Sequence, residues 1–155
     1  MKHFLLKIFN ILPLHDITTN VSDPPEFTAA LKNRSRSMNS LQHPGERIAD
    51  MQRLAYPDIK PVHITKLPEQ GFDIAKNVAV TLGWKILDES KSRLSIEAVD
   101  TTRIFRFKDD IVIRIKADEI GSILDIRSVS RLGTSDFGAN AKRIRQFIQA
   151  FHKEL

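Results

Sequence analysis

Three arginines toward the C-terminal end, Arg114, Arg127 and Arg131, are the residues whose type and placement best fit binding chemistry. A guanidinium presents a planar fork of donors, so three of them on neighbouring strands could grip a carboxylate or phosphate in bidentate fashion. Glu97 and Asp125 fall on the same sheet face by alternation, where they either hold the arginines rigid or must release them to a ligand. The plain alternative is a solvated face of cross-strand ion pairs, each stabilising by on the order of 0.2 to 1 kcal/mol. A second candidate is the junction from 133 to 143. Backbone N–H groups at a helix start can bind an anion, but the Asp136 carboxylate can occupy the same groups as a cap. In the structural version Arg131 or Arg143 pairs with Asp136, and Asn140 bonds loop carbonyls.

Other chemistries find no footing. His3, His15, His43, His63 and His152 are scattered, with no i, i+4 pair and no HExxH, so no metal site is expected. Ser128, Ser130 and Ser135 lack a nucleophile elbow and a nearby histidine base, so no catalytic residue is assigned. Asp109 and Asp110 are adjacent, and a turn at Lys108-Asp109-Asp110 would leave both ionised in water. Asp136-Phe137-Gly138 stands without the glycine-rich and catalytic-loop signatures of a kinase. No cofactor is expected.

The elements that must position these residues follow from periodicity. Leu124, Ile126 and Ser128 alternate with Asp125, Arg127 and Val129, as in a half-buried strand ending at Gly133. Thr134, Ser135 and Asp136 are N-cap types, and Phe137, Ala141, Ile144, Ile148 and Phe151 recur at helical spacing after them. Upstream, Val62 and Ile64 begin a first strand, and Pro68 opens a helix carrying Phe72, Ala75, Ala79 and Leu82 that Gly83 closes. Strands at 84–87, 94–98 and 111–116 complete a meander, with the chain continuing through Phe105 and Phe107 to the turn at 108–110. The expected fold is α+β: an antiparallel sheet of about five strands with two helices on one face, preceded by an extended N-terminal arm. Trp84 is expected in the core beside the C-terminal helix.

Three segments are expected: an apolar amphipathic stretch at 1–14, an extended wrapping arm with a short helix at 15–58, and a compact domain at 59–155. In the arm, Pro24-Pro25 and the Arg34-Ser35-Arg36-Ser37 run read as loop, with both arginines solvated. Ile48, Met51 and Leu54 or Ala55 mark the short helix, stopped by Pro57. In the first stretch Phe4, Leu5, Ile8, Phe9 and Leu12 could anchor the chain on a membrane surface or a partner. Fourteen helical residues span about 21 Å, short of a ~30 Å hydrocarbon core, so a crossing is not expected.

With 155 residues the chain suits one domain able to bury about 68 to 70% of its unfolded surface. Absence of cysteine excludes disulfides, a thiol nucleophile and thiolate metal sites. The net charge is +5, but 19 acidic residues are interspersed with 24 basic ones and no nucleic-acid-binding motif accompanies them. Nucleic acid is therefore not the expected partner.

The run from Arg127 to Ile144, RSVSRLGTSDFGANAKRI, resembles the signature of domain-of-unknown-function family 1499. Ile96-Glu97-Ala98, Phe107 to Asp110 and Arg114 lie upstream in the order that family shows. Pro13 to Thr19, Pro24-Pro25-Glu26-Phe27 and Ala55-Tyr56-Pro57-Asp58-Ile59 resemble its proteobacterial branch. In that branch the segment around His15-Asp16-Ile17-Thr18-Thr19 often follows transmembrane helices. The resemblance therefore implies membrane association at the bacterial envelope, the periplasmic face placed ahead of a cytoplasmic location. It implies no activity. The leading expectation is a non-enzymatic binding or scaffold module with a protein partner or the membrane surface, on its own or as a subunit of a larger complex. The alternative is a small-anion carrier or enzyme with an arginine-lined site.

Overall fold

The computed structural model describes residues 12–155. Six strands form one antiparallel sheet: β1 (Asp16–Thr18), β2 (Val62–Ile64), β3 (Lys85–Ser90), β4 (Ser95–Thr101), β5 (Lys108–Ala117) and β6 (Ser122–Ser130). Strands β3 to β6 follow one another as a meander, and β1 and β2 pair with opposite halves of the outer edge of β6. The sheet thus has five rows, with the edge row shared by two short strands. Among the described residues the α-helices are α1 (Glu46–Ala55), α2 (Pro68–Thr81) and α3 (Ala139–Lys153).

One face of the sheet is aliphatic because every second residue is. Ile96 and Ala98, Ile111, Ile113 and Ile115, Leu124 and Ile126 all lie there, and α2 and α3 cover them. Pro68 sets the first turn of α2, where its missing N–H costs nothing, and the Gln70 side chain accepts from the Leu67 N–H at 3.1 Å. Gly83 ends that helix with φ +84, and the 6→1 and 5→2 bonds Trp84 N–H to Ala79 and Gly83 N–H to Val80 close it. Trp84 stacks on Phe147 at 5.5 Å, and Phe147 on Phe151 at 6.0 Å, so the expected core position of Trp84 holds. Such pairs add about 0.5–1.5 kcal/mol beyond the area they bury.

The opposite face is not solvated. The arm from Asn20 to Gly45 crosses it, and Phe27, Ala30 and Leu41 pack on Val112 and Val129 as a second small core. The arm also supplies β1, so the compact unit starts well before residue 59. The outer edge of β1 is occupied by the Gln52 amide of α1, which accepts from Thr18 N–H at 3.0 Å and donates to Thr18 O at 2.7 Å. One side chain thereby blocks an edge that would otherwise offer free pairing groups.

Two turns differ from expectation. The β4–β5 turn lies at 102–107, closed by Thr102 N–H to Phe107 O at 2.8 Å and Phe107 N–H to Thr102 Oγ1 at 2.9 Å. Asp109 and Asp110 are therefore strand residues, 3% and 0% exposed, and not carboxylates in water. Phe137 has φ +52 and lies before α3, 71% exposed; the buried aromatics of that helix are Phe147 and Phe151.

Candidate functional site

The three arginines of the candidate anion site are held by the chain itself. Arg127 Nε and Nη2 donate to Asp16 Oδ1 and Oδ2 at 2.9 and 2.7 Å. Its remaining bonds go to Pro25 O at 2.9 Å and Leu41 O at 2.7 Å, and its guanidinium lies 5.2 Å from the Phe27 ring centre. Arg114 donates to Asp125 at 2.9 Å and to Asp23 O at 2.8 Å. Arg131 grips Asp110 with two bonds of 3.0 and 2.9 Å, and Arg34 meets the same carboxylate at 3.0 Å. The Arg34 side chain is thus largely covered, 7% exposed, where the sequence pattern reads as solvated loop.

The carboxylates organise the arm in the same way. Glu97 accepts from the Thr28 N–H at 2.8 Å, the Thr28 hydroxyl at 3.1 Å and the Ala29 and Ala30 N–H groups, fixing the start of the 3-10 turn Ala30–Asn33. Asp125 accepts from Thr19 Oγ1 at 3.1 Å and Asn20 Nδ2 at 3.2 Å. Buried acceptors with several charge-assisted bonds stabilise by position, since each is costly to leave unpaired. The face that reads from the sequence as solvated is a polar layer largely covered by the arm.

On the helix side a second polar group sits at the end of the aliphatic face. Arg143 donates to Asp100 at 2.7 Å, Asp109 at 2.6 Å, Ser128 Oγ at 3.2 Å and Asn140 Oδ1 at 2.8 Å. Asn140 Nδ2 donates to Ser130 Oγ at 2.8 Å and to His15 O at 3.3 Å. Asp136 accepts from the Gly138 N–H at 2.7 Å and the Asn140 N–H at 3.1 Å, opening α3. The expected pairing of Asp136 with Arg131 or Arg143 does not form, because Asp110, Asp109 and Asp100 take both arginines. Burial pushes the Asp136 carboxyl above the ordinary carboxylate value, against those two backbone bonds.

Beside this network opens a cleft of about 790 Å³ between the 102–107 turn and the 131–138 loop. Phe105, Phe107, Leu132, Phe137, Ala139 and Met38 form its apolar wall, and Asp109, Ser130, Arg131 and Asp136 its inner end. The volume is that of a ligand pocket. Ile104, Phe105, Phe107, Leu132 and Phe137 are 85, 74, 53, 57 and 71% exposed, with Arg103, Arg106 and Lys108 exposed among them. Of the six polar residues singled out for binding, only Arg131 and Asp136 line this cleft; Arg127 lines a smaller cavity of about 410 Å³ under the arm, with His43. The phenylalanines were hidden in the sequence because 105 and 107 fit a strand and 137 fits a helical stripe. Asp109 was findable: extending the alternation of Ile111 and Ile113 back by one step places it on the helix face.

The chain enters the described domain at this same end. Leu14 O accepts from Asp136 N–H at 3.0 Å, and His15 Nδ1 lies 3.2 Å from Thr134 O. Of the candidate anchor residues, Leu12 is half-buried against the main core, and Phe4, Leu5, Ile8 and Phe9 lie outside the described residues. Among the described residues no helix is long and apolar enough to cross a membrane, and no group of three or more His, Asp or Glu side chains could hold a metal ion.

Fold and site together define an α+β domain whose antiparallel sheet carries helices on one face and an N-terminal arm on the other. The chain belongs to the family described as "Protein of unknown function (DUF1499)", whose model matches residues 16–151. The matched span begins at Asp16, the buried partner of Arg127, so it takes in the arm as well as the meander. No curated protein matches the chain.

Proposed function

We propose that this protein is a non-enzymatic binding module that docks on an anionic membrane surface of the bacterial envelope through the end bearing the 102–107 turn and the 131–138 loop. The observation that carries this reading is the gathering of five exposed large apolar side chains with Arg103, Arg106 and Lys108 at one end of the domain. Apolar side chains entering the headgroup boundary and cations meeting anionic lipid are the two contributions that hold interfacial proteins. Each cation near such a surface contributes about 1 kcal/mol, and a buried phenylalanine about 1.5–3 kcal/mol at most. The first described residues bond the same loop through Leu14 O and His15 Nδ1, and the apolar Phe4, Leu5, Ile8 and Phe9 that precede them in the sequence are of the type that adds a second attachment. A protein partner seated in the bilayer, with the periplasmic side as the favoured location, fits the same orientation.

A soluble anion carrier built on Arg114, Arg127 and Arg131 gains less support, since each guanidinium already pairs with a carboxylate, Asp125, Asp16 and Asp110 in turn, and of their buried donors only Arg114 Nε is left without a partner. The test is flotation of the full chain with phosphatidylcholine vesicles containing or lacking phosphatidylglycerol. Wild-type protein floats with the anionic vesicles, less so at high salt, and the Phe105→Ser, Phe107→Ser, Phe137→Ser triple variant loses most of that binding. Equal flotation of wild type and variant overturns the proposal.

A further inference from the structure

The cleft behind the exposed end is more than a gap between two loops. Its inner polar groups are already satisfied: Asp109 by Arg143 at 2.6 Å, Arg131 by Asp110 at 2.9 Å, Asp136 by two backbone N–H groups, Ser130 by Asn140 at 2.8 Å. An apolar occupant therefore meets polar groups that each already hold a partner within the chain, which lowers the cost that usually bars apolar groups from polar clefts. The walls offer three phenylalanine rings, Leu132 and Met38. Two cations of the lining, Arg106 and Lys108, have no acidic partner among the described residues and lie at the exposed mouth. Asp109 and Asp136 at the inner end would repel an anion there, so a negative head belongs at the mouth and an apolar body inside.

We infer that the cleft between the 102–107 turn and the 131–138 loop binds a single-chain anionic amphiphile drawn from the bilayer, with the acyl chain along Phe105, Phe107, Leu132 and Phe137 and the carboxylate or phosphate head at Arg106 and Lys108. The inference deepens the membrane-docking reading by naming a ligand for the same end. It rests on that reading only for the source of the ligand. About 790 Å³ lies within the 300–1,000 Å³ typical of sites that enclose a ligand of this size.

The test uses the full chain in solution, without vesicles, titrated with dodecanoate, dodecyl phosphate or the uncharged dodecyl maltoside below their micellar concentrations. Binding is followed by calorimetry and by amide chemical shifts. The expected result is one site per chain for the two anions, shifts concentrated at 102–108 and 130–139, and weak or no binding of the maltoside. Arg106→Gln with Lys108→Gln, both exposed and remote from the core, weakens the anions about three- to tenfold, while Leu132→Asp at the wall abolishes saturable binding. If dodecanoate and dodecyl phosphate both fail to saturate, if shifts scatter over the surface, or if the maltoside binds equally well, the inference is overturned. It is also overturned if binding appears only after Phe4, Leu5, Ile8 and Phe9 are replaced by serine, since the chain's own N-terminal segment would then be the occupant. Wild-type flotation on anionic vesicles separates the two ideas: flotation without one-to-one amphiphile binding leaves the docking surface standing and removes the ligand.

Discussion

Arg127 and Asp16 are diagonal neighbours across the pairing of β1 with β6, joined by two hydrogen bonds of 2.9 and 2.7 Å, with side chains 2% and 1% exposed. The same guanidinium holds Pro25 O and Leu41 O and lies over Phe27, so one side chain fixes three separate points of the arm to the sheet. Arginine suits this role because its donors lie in a fixed plane and point in several directions at once. The arm is thereby part of the folded unit.

Arg127→Ala leaves the Asp16 carboxylate buried without its cation, and is expected to destabilise the protein by about 3–5 kcal/mol. A denaturant melt checks this through the shift of midpoint. Arg127→Lys keeps the charge but loses the planar fork, and an intermediate midpoint is expected. A midpoint within experimental error of wild type for Arg127→Ala would show that the pair contributes nothing net.

Glu97→Gln acts more locally. The carboxylate accepts from Thr28, Ala29 and Ala30 at once, and an amide offers one acceptor oxygen and an opposing NH2 group. The loss is expected to be about 1.5–3 kcal/mol. Hydrogen exchange at the amides of 28–30 is expected to accelerate while the β5–β6 ladder keeps its protection. Uniform acceleration across both would show that the arm does not open separately.

How much of this was visible in the sequence differs between the two sheet faces. Ile111, Ile113, Leu124 and Ile126 declare a buried face because water excludes them wherever the covering helix comes from. Glu97, Asp125 and Arg127 look solvated because charge in a strand is normally exposed, and nothing in the arm's irregular sequence announces that it covers them. The arm has no period because its contacts are backbone groups reaching single carboxylates and guanidinium groups, as at Glu97 and Arg127. Asp110 was misplaced for a related reason. Its partners Arg34 and Arg131 are 76 and 21 residues away, beyond any local pattern. The cleft was legible only in part. Arg131 and Asp136 both line it, though not as the ion pair expected of them, while Phe105, Phe107 and Phe137 imitate core residues until their exposure is known.

A pH dependence follows from His43. Burial lowers its pKa below the ordinary 6.5, opposed by the Asp16 carboxylate, and its Nε2 is buried without a partner. The unfolded chain takes up the proton first as pH falls, so stability declines from about pH 6.5 down through the folded-state pKa. His43→Gln is expected to flatten that part of the curve. Denaturant midpoints for both proteins between about pH 7.5 and 5.5 check this, and parallel curves would exclude His43 as the source.

Membrane docking through one end is the central claim, and residue-resolved contact with lipid tests it most directly. Full-length protein on anionic bicelles carrying a nitroxide-labelled lipid would be measured by amide relaxation enhancement. The account predicts strong broadening at 103–107 and 132–137, with little effect on the β5–β6 turn at 118–121. Broadening centred elsewhere on the domain, or spread evenly over it, would contradict the claim.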